Sequence, residues 1–189
     1  MAEQSEQSKD DLSNFNRLLR NDFVTTLLLL GLIAFSVFAF SKILAIALKT
    51  DYPLHTPISP SMQPTLNIGD LLIVQEVSNA EEINADMEKG DIIVFRKPGN
   101  PSEFIVHRAI EKRWESKDGK YYFKTKGDNN KSPDQPFAFK EWISEDDIIG
   151  KVIWKIPLLG YVKIFLGTPI GMATTLIIFL ILIVLESWK

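Results

Sequence analysis

The chain of 189 residues contains no cysteine at all and two histidines, His55 and His107. The first absence excludes disulfides, zinc-thiolate sites and a cysteine nucleophile. Charge of one sign is also missing in any excess: 21 basic against 24 acidic residues give a formal net charge of -3, and no basic run points to nucleic acid. No internal repeat is found, and no histidine cluster accompanies the acidic stretches, so neither a metal nor another cofactor is expected. Charge is scarcest in two blocks near the ends, and the polar start, Met1 to Asp11, reads as disordered.

The first block, 23–48, runs through Leu27-Leu28-Leu29-Leu30 and is interrupted only by small hydroxyls and Lys42. At about 1.5 Å per residue it is long enough to cross a hydrocarbon layer of about 30 Å. A cleavable leader would have a shorter apolar core, of about 7 to 15 residues, so the block is read as an anchor. Lys42 is read as a boundary marker that reaches outward. The second block, 164–185, carries no charge and is also expected to span. Two spans place a cytoplasmic tail (1–22) and a short C-terminal tail (186–189) on one side, with 49–163 on the other. Arg17 and Arg20 favour a cytoplasmic N-terminus only weakly, because Asp10, Asp11 and Asp22 lie near them and Lys49 follows the span.

About 115 residues then remain for one small domain. Its apolar residues come in short β-rich runs, 71–77, 91–96, 104–114, 121–126 and 148–154, which predict a mainly β fold, a small antiparallel sheet or barrel held between two transmembrane helices. Asp118-Gly119 lies between two of these runs and supplies the positive φ of a hairpin turn. In the run 104–114, alternation puts Phe104, Val106, Arg108 and Ile110 on one face and Ile105, His107 and Ala109 on the other. The acidic segments 79–89 and 141–147 are read as solvated loops or short helices.

The segment Ser59-Pro60-Ser61-Met62-Gln63-Pro64-Thr65-Leu66-Asn67-Ile68-Gly69-Asp70 describes, on its own, a rigid non-helical turn holding a hydroxyl in one place. A serine hydroxyl becomes a useful nucleophile when a base takes its proton during attack, and imidazole can accept that proton and return it near neutrality. His55 is the rival base, but an extended path would put it about 20 Å from Ser61. His107 is therefore preferred.

Four boxes in the same order, Ser61-Met62-Gln63-Pro64-Thr65-Leu66 with Gly69-Asp70, Gly90-Asp91-Ile92-Ile93-Val94-Phe95, Val106-His107-Arg108 and Gly127-Asp128-Asn129-Asn130, resemble those of the type I signal peptidases. The resemblance covers roughly 59–161. It points to the archaeal and endoplasmic-reticulum-like kind, which has histidine where bacterial members have lysine. It implies a serine endopeptidase that removes N-terminal signal peptides behind small residues, with Ser61 as nucleophile and His107 as base. Asp128 and Asp134 are the candidate acidic partners; Asp128 is favoured as the orienting carboxylate, with Asp134 structural or auxiliary. The Ser61 backbone N–H and, by position, the Ser59 hydroxyl are the candidate oxyanion donors, although Pro60 stands where the family has a small residue. Ile58, Met62 and Ile105 are candidate walls of the substrate pockets, and core packing would explain each of them too. Asp70 and Asp91 are sufficiently explained as turn residues. Asn130-Lys131-Ser132 matches a glycosylation acceptor but is read as unused.

The expected partners are signal-peptide-bearing preproteins and the lipid bilayer, with the translocation channel a further candidate. The expected place is the cell membrane, with the catalytic domain extracytoplasmic and Trp154 and Tyr161 at the outer interface. Phe137, Phe139 and Trp142 suit either lipid or a domain core. Two alternatives stand beside this reading. One is a self-cleaving Ser/Lys peptidase of related fold, which would want a lysine at 107; the other is a catalytically silent β domain that binds translocation machinery.

Overall fold

The computed structural model describes residues 22–187. The start for which disorder is expected, Arg17 and Arg20 lie outside the described residues, as do the last two residues of the C-terminal tail. The described residues fall into two compact units, one formed by the chain up to Lys42 and from Leu166 onward, the other by Ile43–Phe165.

Helix α1, Asp22–Leu48, is apolar on every side. Leu28, Phe35, Phe38 and Ile43 are all more than half exposed, a pattern that suits hydrocarbon and not water. Val24–Leu48, 25 residues, is one helix long and apolar enough to cross a membrane. It stops at Lys49, whose φ of 53 is left-handed, and Thr50 N–H donates to Ala45 C=O at 3.1 Å, a C-terminal cap that satisfies an orphan carbonyl. Lys42 lies in the last third of α1, its Nζ 5.8 Å from the Phe38 ring.

The second apolar block is not one helix over 164–185. Helix α2, Gly160–Leu166, ends before Pro169, and helix α3, Pro169–Ser187, begins there. Proline has no N–H to give and pushes the residue before it out of helical geometry. Thr168 instead caps α3, its Oγ1 accepting from Gly171 N–H at 2.9 Å. The uncharged stretch Pro169–Leu185 is thus near the lower limit of about 17 residues for a span.

The Ile43–Phe165 unit is built on a seven-stranded antiparallel sheet of order β1-β2-β7-β3-β4-β5-β6. The strands are β1 (Leu54–His55), β2 (Leu71–Gln75), β3 (Ile92–Lys97), β4 (Asn100–Glu115), β5 (Lys120–Lys126), β6 (Ile143–Ser144) and β7 (Ile148–Ile156). All five apolar runs are strands; the two-residue β1 and β6 were not foreseen. The β4–β5 hairpin turns at Gly119, whose φ of 67 is open to glycine at little steric cost. Both faces of β4 are covered: Ile105 and Ala109 join a core of Ile83, Ile93, Phe95, Phe123 and Ile143, while Val106 packs on the opposite side against the Met62, Leu66, Leu72 cluster and the Val74, Val94, Ile149 cluster. Ile83 and Ile143, each 1% exposed, pin the two acidic segments to the core and leave their carboxylates outside. Short 3-10 turns, Ala80–Glu82 and Glu145–Asp147, complete those segments.

Candidate active site

Ser59 is extended and leads into a single 3-10 turn, Pro60–Met62, with proline in the first position where its missing N–H costs nothing. Met62, 1% exposed, sinks beneath the turn and packs with Leu66 and Leu72. It is therefore not a wall of the substrate groove, as its closeness to Ser61 in sequence had suggested; successive residues of a tight turn point in different directions, and this one points into the core. The turn is also held from outside by 127–130. Asn129 donates its backbone N–H to Ser61 C=O at 2.8 Å and its side-chain amide to Pro60 C=O at 3.2 Å. Gly127 allows this approach, since a Cβ there would lie 2.6 Å from the Ser61 carbonyl oxygen.

β4 brings His107 to the turn. Its Nε2 lies 3.1 Å from Ser61 Oγ, and its Nδ1 lies 2.6 Å from Asp134 Oδ2. His107 and Asp134 are 9% and 3% exposed. The tautomer that fits a carboxylate acceptor carries its proton on Nδ1 and leaves Nε2 to accept from the serine O–H. In that tautomer the series runs from serine through imidazole to carboxylate.

Asp128, the favoured orienting carboxylate, does not touch His107. It takes two parallel bonds from Arg108, Nε to Oδ1 at 2.8 Å and Nη2 to Oδ2 at 2.6 Å, while Arg108 Nη1 donates to Gly90 C=O at 2.6 Å. The reason is the period of the strand: adjacent residues face opposite sides, so His107 and Arg108 each claim a different aspartate. Burial pushes the Asp128 carboxyl up, but bonds from Arg108 and the Thr65 hydroxyl outweigh it and hold the group below the ordinary carboxylate range. The same pair raises the Arg108 guanidinium, chiefly through the Asp128 hydrogen bond. Arg108 and Asn129 are site-building residues that sequence reasoning passed over. Asp70 and Asp91 are turn residues as expected, accepting from Asn67 N–H and Asn84 N–H at 2.9 Å each.

A groove of about 380 Å³ opens over Ser61, walled on one side by residues 55–59 and on the other by 103–107. Ile105 lines it, and Ile58, 80% exposed, stands on its rim. Ser59 Oγ is 3.1 Å from Ser61 Oγ. On this side of the sheet β5 meets β4 only from Arg108 onward, so Glu103 to His107 carry no strand partner there. His55 shares the groove, since the residues after it form its wall instead of leading directly away. Its ring stands edge-on to Phe104 at 5.4 Å, and its Nε2 is buried without a partner. Burial, then the nearby Lys163 charge, lower its pKa to about 4, so the ring is neutral over the ordinary pH range.

A serine, an imidazole and a buried carboxylate in series, set in a groove on an antiparallel β domain, define the kind of site that serine hydrolases use. Residues 23–113 match the family described as "Signal peptidase, peptidase S26". The chain is 36% identical over 135 residues to "Signal peptidase complex catalytic subunit SEC11" of Lachancea thermotolerans, covering 70% of this chain and 76% of that one. It is 33% identical over 155 residues to the protein of the same description from Pyricularia oryzae, covering 81% and 86%. The chain belongs to the signal peptidase family, peptidase S26, and within it to the endoplasmic-reticulum-like kind.

Proposed function

We propose that this protein is a membrane-bound serine endopeptidase that removes N-terminal signal peptides from secreted preproteins, with Ser61 as nucleophile, His107 as general base and Asp134 as the carboxylate that orients the imidazole. The reading rests on the hydrogen-bonded series from Ser61 Oγ through His107 to Asp134, with steps of 3.1 and 2.6 Å. As Ser61 Oγ bonds to the scissile carbonyl carbon, its proton passes to His107 Nε2. The imidazolium then returns that proton to the departing amine, the C–N bond breaks, and an acyl-enzyme remains on Ser61. Water, deprotonated by the same nitrogen, releases the acyl group. Charge on the carbonyl oxygen would be met by the Ser61 backbone N–H and the Ser59 hydroxyl.

The substrate enters extended and pairs with the unpartnered edge of β4, its small side chains directed into shallow pockets near Ile58 and Ile105. An anchored enzyme meets substrates that are themselves held in the bilayer by their apolar leader. Helix α1 is one anchor and the Pro169–Leu185 stretch the second, which leaves the Ile43–Phe165 unit extracytoplasmic and both ends of the chain inside. The translocation channel and further subunits of a signal peptidase complex are the partners this placement suits.

Cleavage of a preprotein by membranes carrying Ser61→Ala, His107→Ala, His107→Lys and His55→Ala variants tests the reading. The first three are expected to lose processing and His55→Ala to retain most of it. Full activity in Ser61→Ala would end the mechanism.

A further inference from the structure

Asp134 Oδ2 receives two donors, because the oxygen that faces His107 Nδ1 also accepts from Thr125 Oγ1 at 2.8 Å. Thr125 has 0% exposure and Asp134 3%, so water has little part in the pairing. The position is unusual for its surroundings. Alternation along β5 places Thr125 on the same face as Phe123, which belongs to the hydrophobic core, and opposite Ala109 of β4. A hydroxyl buried at an inward strand position needs a partner, and the partner here is the carboxylate of the site. The main chain of Thr125 is bound separately: its C=O accepts from Asp134 N–H at 2.8 Å and its N–H donates to Gln135 Oε1 at 2.9 Å. The backbone thus brings the 134–135 segment to the end of β5, and the hydroxyl is left with a single task.

We propose that Thr125 is a positioning residue for the peptidase reaction, its hydroxyl fixing the Asp134 carboxylate so that Oδ2 stays in line with His107 Nδ1. This rests on the Ser61, His107, Asp134 reading given above. Two donors on one oxygen restrict rotation of the carboxylate about its Cβ–Cγ bond, where one donor would leave it free to swing. Holding that oxygen holds the imidazole ring, and the ring's Nε2 is then aimed at Ser61 Oγ before substrate arrives. The effect falls on the chemical step and leaves groove binding alone.

Preprotein cleavage by the purified full-length chain in detergent tests the proposal, with Thr125→Val, Thr125→Ser and Thr125→Ala measured beside Ser61→Ala and Asp134→Ala. Valine keeps the shape and removes the hydroxyl; serine and alanine lose the same methyl and differ in the hydroxyl alone, which keeps the comparison valid even if the valine variant fails to fold. Thr125→Val and Thr125→Ala are expected to lower kcat roughly tenfold to a hundredfold with KM little changed, the range of a hydrogen bond to a charged group. Thr125→Ser is expected to restore most of it. On the Asp134→Ala background, Thr125→Val should change nothing further. Wild-type kcat in Thr125→Val, equal losses in the serine and alanine variants, or an undiminished effect without Asp134 would each overturn the proposal. If Ser61→Ala or Asp134→Ala kept full activity, the reading beneath it would be the one to fall.

Discussion

Asp128 takes its bonds from a guanidinium and Asp134 from an imidazole, and this difference in partner predicts a difference in what each variant loses. Asp134→Asn would offer His107 an amide in place of a carboxylate and no longer hold Nδ1–H in place; kcat is expected to fall by roughly 10³- to 10⁴-fold, as when a triad carboxylate is replaced. Asp128→Asn would break two charge-assisted bonds and is expected to lower stability by about 1.5–3 kcal/mol with a smaller effect on kcat. Thermal unfolding and steady-state kinetics of the two variants separate these outcomes. His55 gives a pH signature. Its folded pKa of about 4 lies below the ordinary 6.5, so the folded state resists protonation that the unfolded chain accepts. Stability is therefore complete above about pH 6.5 and declines as pH falls towards 4, by about 3 kcal/mol over that window. The unfolding midpoint of His55→Gln, followed over the same range, is expected to decline less steeply than that of the wild type.

At the scale of elements, the turn that carries Ser61 is held from below by a side chain and from above by a loop. Met62→Ala empties a core site and is expected to cost about 2–5 kcal/mol, read in the unfolding midpoint. Gly127→Ala instead presses a methyl group on the Ser61 carbonyl, and its expected signature is a lower kcat in a chain that still folds. These roles explain how far the sequence could be read. The five longer strands were legible because alternation and β-branched runs survive any arrangement of the loops, and Asp118-Gly119 marked its hairpin through a local need for positive φ. Ser61 and His107 were legible from their boxes and from the chemistry of the two groups. The choice between Asp128 and Asp134 was not, because both lie in one loop and only its path back to β5 decides which carboxylate faces the imidazole. For Met62 the sequence left pocket wall and core packing both open, because closeness to Ser61 in the chain does not tell which way a side chain points; its burial fits the core. The second apolar block was taken as continuous because hydropathy passes over Pro169, whose missing N–H breaks it.

For the molecule as a whole, α1 offers hydrocarbon-sized apolar surface that no folded core covers. The chain is expected to stay with the membrane pellet after alkaline extraction, and so is a chain begun at Ile43, held by Pro169–Leu185; release of the shorter chain would assign the attachment to α1. The 16-residue β4 sets a different limit. Through it pass the groove wall, the histidine facing Ser61 and the arginine that secures 127–130. Deleting Val106 would slip the following residues by one position and turn His107 and Arg108 each to the opposite face, taking the imidazole away from Ser61 and bringing a cation beneath it. In this strand the number of residues before His107 matters to the proposed site as much as their identity.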